Sequence, residues 1–177
     1  VDIEMWRYSR DNGKIVNVVG GIQIDQYGSS NMVCVGDYAA PKVRGVGTVG
    51  LCFGVSFGIV YFFTMHHTPR IFVEQVDFIS SPGHTPERKK YVPPLCQGPQ
   101  LVFSPLGIFD FAPATGTMRI KSLHPGVSVD EVQSKTGFPL GVPEQVLETE
   151  PPTAQELAVL RTQVDPDGLL RELRITR

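Results

Sequence analysis

A loop-rich α/β fold is what this chain of 177 residues predicts, and three observations carry the prediction. Short runs of β-branched and apolar residues recur through the first two thirds of the chain, each stopped by glycine, proline or a polar turn. Two helix starts with capping residues come only after that. Eighteen glycines and 15 prolines require many tight turns, while an apolar fraction of 41% is enough for one domain with a real core.

The elements follow in order. Residues 14–19 (KIVNVV) read as a strand that stops at Gly20-Gly21. Ile22 and Ile24 alternate with Gln23 and Asp25, the stretch 26–30 turns the chain, and residues 31–35 (NMVCV) read as one returning strand. After an irregular stretch holding Asp37, Lys42 and Arg44 comes the loop Gly45-Val46-Gly47-Thr48-Val49-Gly50. Residues 61–65 and 71–80 have strand composition, with the His66-His67-Thr68-Pro69-Arg70 connector between them. The stretch 81–99 reads as a long polar loop, the kind that is functional or mobile. Residues 100–104 and 107–112 are short strands, Ala114-Thr115-Gly116 a hairpin turn, and 118–123 the strand that alternates back. Ser128 with Glu131, and Thr153 with Glu156, mark helix starts by the capping-box pattern. Gly137 is expected to close the first helix and Asp165-Pro166 the second. The domain is expected to run over residues 1–177, with 143–177 as a peripheral strap. Its first residues read as the middle of a larger unit, so the expectation is a domain lacking its N-terminal part.

Composition excludes several functions. A net charge of −2 leaves no basic face for nucleic acid. Three cysteines without a CxxC pair argue against a disulfide framework or zinc site, and make a reducing cytoplasm the expected location. Residues 45–65 carry no charge and are long enough to cross a bilayer. The glycines scattered through them favour instead a loop entering a buried helix and strand.

Candidate chemistry is sparse. The glycine loop offers backbone N–H groups beside a helix start, a geometry that suits phosphate or a developing oxyanion. It lacks the partners of a dinucleotide fingerprint or a P-loop. Adjacent histidines on a strand point to opposite faces, so His66 and His67 do not chelate together and are expected in an exposed turn; no metal is expected. His84 and His124 read as turn residues. Cys52 lies in an apolar setting that raises a thiol pKa, and Ser56 and Ser81 lack a nucleophile elbow. Asp25 and Asp37 read as caps of their own turns before they read as an acid–base pair. Lys42 and Arg44 are placed to hold an anion against the loop, or to form a solvated rim.

The ordered pattern Gly20-Gly21-x-Gln23-Ile24-Asp25-x-Tyr27-Gly28-x-x-Asn31, Gly36-Asp37-Tyr38, Pro41-Lys42-x-Arg44, Gly47-x-x-Gly50 resembles the β subunit of glutaconate CoA-transferase-like enzymes. His67-x-x-Arg70, Val76-Asp77-Phe78, Ser81-Pro82-Gly83, Gly98-Pro99-Gln100, His124-Pro125-Gly126-Val127, Thr136-Gly137-Phe138 and Asp165-Pro166 continue it to nearly the end of the chain. The resemblance implies the open sheet flanked by helices of the class I CoA-transferase superfamily. It implies coenzyme A thioesters as substrates, no metal, and an α-type partner subunit with the active site between the two. It also implies a glutamate nucleophile, lying upstream of Val1 or on the partner, that attacks the thioester and passes CoA to a carboxylate. Gly47, Thr48, Val49 and Gly50 would then face the thioester carbonyl, with Gln23, Asp25, Asn31, Lys42 and Arg44 as pocket candidates.

The loop departs from the family's usual Gly-Ser-Gly-Gly-Ala. That change, together with the phrase running from His124 to Val132, is similar to a sister branch. These are the CoA-transferase-like hydrolases that open a ring of steroid-derived thioesters, with the key glutamate on the other subunit. A non-catalytic structural subunit is the third expectation.

Overall fold

The structure, a computed structural model, describes residues 4, 16–48, 50–51, 59–91 and 98–169. Its centre is a six-stranded mixed sheet made of β1 (Val16–Val19), β6 (Ile59–Phe63), β8 (Gly98–Ser104), β9 (Gly107–Phe111), β10 (Met118–Leu123) and β11 (Leu147–Glu148), in that spatial order. β1, β6 and β8 run parallel, β9 is antiparallel to both its neighbours, and β11 adds to β10 in parallel. A second, three-stranded sheet sets β2 (Gln23–Asp25) between β3 (Ser30–Asn31) and β7 (Phe72–Val73). A two-stranded ribbon joins β4 (Cys34–Val35) to β5 (Val43–Arg44).

Strand alternation decides where the core lies. Val60 and Phe62, Val102, Phe109, Met118 and Ile120 point to one face of the large sheet and are buried there. Ile24 and Phe72, opposed in register across the small sheet, meet them from the other side. The small sheet is thus a layer stacked on the large one. Helix α2 (Val129–Ser134) presses Val132 into the same cluster. The opposite face carries Ile59, Tyr61, Leu101, Asp110, Arg119 and Lys121, which line an open cleft of about 800 Å³.

The capping predictions hold. Ser128 Oγ accepts the N–H of Glu131, and Thr153 and Glu156 form a reciprocal capping box on α3 (Ala154–Val159), whose last turn widens into a π-helix at Leu160–Val164. The widened turn closes with the Asp165 N–H on the Leu160 carbonyl.

Several elements differ from the sequence reading. Residues 31–35 are not one strand: Asn31 and Cys34 belong to different sheets, because the Asn31 side chain takes the N–H groups of Val33 and Cys34 and bends the chain between them. Of 71–80 only Phe72–Val73 is strand, and the polar stretch 81–99 contains a short helix, α1 (Arg88–Tyr91). One continuous helix over 45–65 is excluded, because Ile59–Phe63 is a central strand. No helix among the described residues is long and apolar enough to cross a membrane. Gly137 does not close α2 by a left-handed turn; its N–H donates to the Phe72 carbonyl, and a Cβ there would sit 2.6 Å from that oxygen.

Candidate functional site

The site grows from the turn after β2. Asp25 is buried, and its Oδ1 accepts the N–H groups of Tyr27 (2.9 Å) and Ser29 (2.8 Å), closing the turn that returns the chain as β3. Burial pushes its carboxyl pKa up, against the pull of those two N–H groups. Asp37, exposed, caps its own turn through the Ala39 N–H. Both aspartates are therefore engaged as turn caps.

Asn31 has no exposed surface, and both ends of its amide are in use. Oδ1 accepts from the N–H groups of Val33 and Cys34, while Nδ2 donates to the Cys34 carbonyl (2.6 Å) and to Gln23 Oε1 (2.7 Å). Gln23 Oε1 also accepts the Asp77 N–H, and Gln23 Nε2 donates to Asp77 Oδ2 (3.0 Å), which in turn holds the Gly36 N–H (2.8 Å). The pocket candidates Gln23 and Asn31 thus face protein partners. A buried amide left unpaired would cost about 1–3 kcal/mol, so such a chain of partners is strongly specified.

The ribbon leads directly to the glycine loop. Gly45 donates to the Val33 carbonyl (2.7 Å) and Gly47 to the Met32 carbonyl (3.0 Å), so the loop is stapled to the bend that Asn31 makes. Any side chain at 45 would run into the Met32 carbonyl. Gly47 has φ +95° with open space around its Cα, a conformation that costs an L-residue about 1 kcal/mol or more. Leu51, buried, closes the next turn by donating to the Thr48 carbonyl. Among the described residues the N–H groups of Val46 and Thr48 have no acceptor. Gly50 is exposed, and Val49 lies outside the described residues, as do Cys52 and Ser56.

The rim is cationic and apolar. Arg44 sits 5.2 Å from the Tyr38 ring centroid and donates to the Tyr38 carbonyl; that ring stacks on Phe78. Lys42 is exposed beside Gly36. Tyr38 (61% exposed), Val43 (50%), Val46 (78%) and Ile79 (56%) leave apolar surface on the ribbon, the loop and the segment after Phe78 that the described residues do not cover.

The cleft on the other sheet face belongs to different residues. The Arg119 guanidinium makes a two-point contact with the Asp110 carboxylate, and the Asp110 side chain holds the Arg119 pKa above its usual value. Burial lowers the pKa of His84, whose ring nitrogen bonds the Pro99 carbonyl and which packs against Phe111. Among the described residues, none of the glycine loop lines this cleft.

His67 corrects the expectation of an exposed histidine turn. It is 3% exposed, stacks on Phe72 at 3.9 Å, and bridges Ser104 Oγ (2.8 Å) to Thr136 Oγ1 (2.9 Å). Thr136 spends its proton on the Val132 carbonyl, so it accepts from His67 Nε2–H; Nδ1 is left to accept from Ser104. Burial, aided by the nearby Lys135 charge, holds its pKa down at about 3. His124, expected as a turn residue, is half-buried and bonds the Ser104 carbonyl. The sequence reading gave Asp77 and Met32 no part in the site. Asp77 is 54 positions from Gln23, and no local pattern announces a pairing over that distance.

The described residues thus form a layered α/β sheet carrying a stapled glycine loop with exposed apolar residues on and near it. Comparison with known proteins makes the class specific. The model of the Coenzyme A transferase family matches residues 3–135, and the chain belongs to that family. It is 32% identical over 169 residues to the B-type subunit of glutaconate CoA-transferase of Acidaminococcus fermentans, covering 94% of this chain and 63% of that one. It is 34% identical over 163 residues to the B-type subunit of 3-oxoadipate CoA-transferase of Pseudomonas knackmussii (89% and 62% covered). To the cholesterol ring-cleaving hydrolase IpdB subunit of Rhodococcus jostii it is 32% identical over 155 residues (86% and 60%). The chain thus spans less than two thirds of the length of these relatives. The crystal structure of glutaconate coenzyme A-transferase from Acidaminococcus fermentans superposes with a TM-score of 0.83 at 28% identity, over 98% of this chain and 66% of that one.

Proposed function

We propose that this chain is the B-type subunit of a heteromeric, cytoplasmic enzyme that moves coenzyme A between an acyl thioester and a carboxylate. The observation that carries the reading is membership of the Coenzyme A transferase family over residues 3–135. The loop supports it, because the N–H groups of Val46 and Thr48, without an acceptor among the described residues, suit the oxygen of a thioester carbonyl as negative charge builds on it. A glutamate carboxylate from outside the described residues attacks that carbonyl and expels the CoA thiolate, leaving a mixed anhydride. The thiolate then attacks the glutamyl carbonyl and releases the substrate's carboxylate, leaving a glutamyl-CoA thioester. The acceptor carboxylate runs the same two steps in reverse. In this reading Lys42 and Arg44 are the cations proposed to meet the anionic groups of the ligand, and an α-type subunit covers the exposed apolar surface at Val46.

The test is co-expression with an α-type subunit, followed by incubation with acyl-CoA and borohydride or hydroxylamine. A trapped glutamyl adduct and CoA transfer to an added carboxylate are expected; no thioester turnover by the assembled subunits refutes the reading. A second reading, hydrolytic ring opening of a CoA-linked substrate, is favoured by the ring-cleaving relative and by the Thr48-Val49 departure in the loop. It predicts consumption of water with no acceptor needed and no glutamyl-CoA adduct.

A further inference from the structure

We propose that Asn31 is a positioning residue for the reaction: its buried amide sets the Met32-Val33 bend, and through that bend the place of the glycine loop. The inference rests on the reading of that loop as the thioester cradle. Asn31 Oδ1 receives the Val33 and Cys34 N–H groups, which turns the chain so that the carbonyls of Met32 and Val33 meet Gly47 and Gly45. Asn31 Nδ2 ties the same bend, through Gln23 and Asp77, to the Gly36 N–H at the opposite end of the ribbon. The entry to the ribbon and the exit into the loop are thus referenced to one side chain. All four hydrogen-bonding positions of the Asn31 amide are filled, two as donor and two as acceptor. No other side chain of this size offers that pattern. Aspartate keeps the shape but turns both donors into acceptors facing the oxygens of Gln23 and Cys34, so the bend must open. The carbonyls stapling the loop then move, and Val46 and Thr48 no longer meet the developing oxyanion. Substrate binding through the rest of the ligand is untouched, so the loss falls on turnover.

The experiment uses the chain assembled with its α-type subunit and an acyl-CoA substrate that the wild-type assembly turns over. For Asn31→Asp we expect kcat per folded enzyme to fall about 10- to 100-fold with KM within about threefold, less than the roughly 100- to 1000-fold of removing an oxyanion donor outright, because the donors are displaced and not deleted. Hydrogen exchange at the Gly45 and Gly47 amides speeds up in the same variant. Asp77→Ser, at the more exposed end of the network, gives a smaller fall in kcat and decides the matter should Asn31→Asp not fold. Combined with Gly47→Ala, which displaces the loop directly, the network variant costs less than the product of the two separate losses. Unchanged kcat in the folded variants, or losses that multiply independently, overturns the inference while leaving the proposed function standing. A wild-type assembly with no thioester turnover overturns the proposed function and this inference with it.

Discussion

Acidification should destabilise this domain through His67. The imidazole is buried between Ser104, Thr136 and the Phe72 ring and is neutral in the folded chain, with a pKa of about 3 against an ordinary 6.5. The folded form therefore binds a proton less readily than the unfolded form. Stability from this group is complete above pH 6.5 and is lost as the pH falls below it, down to about pH 3. Linkage gives a slope of about 1.4 kcal/mol per pH unit in that window, or about 2 kcal/mol lost by pH 5. Urea denaturation at pH 7.5 and pH 5 measures it. His67→Gln keeps a polar group in the site but cannot titrate; it should be less stable than wild type at pH 7.5, yet should lack about 2 kcal/mol of the acid-induced loss. Subtracting the two profiles removes the contribution of His84, which burial also depresses. Equal acid-induced losses in the two proteins would refute the reasoning, because the proton would then not be excluded from His67.

Two buried serines should respond oppositely to removal of their hydroxyls. Ser81 Oγ is buried without a partner among the described residues, so Ser81→Ala should be neutral or stabilise by up to about 1 kcal/mol, whereas Ser80 Oγ accepts the Met32 N–H and Ser80→Ala should cost about 1 kcal/mol. Chemical denaturation compares them, and a larger loss at 81 than at 80 would count against the hydrogen-bond assignment. Phe72→Ala removes a fully buried ring shared by both sheets and should cost about 3–5 kcal/mol in the same assay, together with the protection of His67. Gly137→Ala drives a Cβ against the Phe72 carbonyl and should lower the melting temperature; a neutral result would mean that α2 has freedom to shift away from β7.

Much of the chain was legible because its cause is local. Strand alternation in 118–123, the hairpin turn at Gly116 and both capped helix starts depend on neighbours within a few positions, and all of them stand where the residues put them. The turn caps Asp25 and Asp37 were legible for the same reason. Residues 31–35 misled because a run of apolar residues says nothing of the Asn31 side chain that competes for the backbone. His67 misled because burial is not a local property: its partners lie 37 and 69 positions away.

The sequence by itself determined the family, the α/β character, the places where helices start, and the glycines that a tight loop requires, since each follows from residue type and short spacing. Only the tertiary structure decided that Gln23, Asn31 and Asp77 form one buried chain, that two carbonyls of a bend hold the glycine loop, and that His67 lies dry beneath Phe72. Those facts depend on which distant segments are packed together, and hydrogen-bonding groups taken out of water must find partners wherever the fold supplies them.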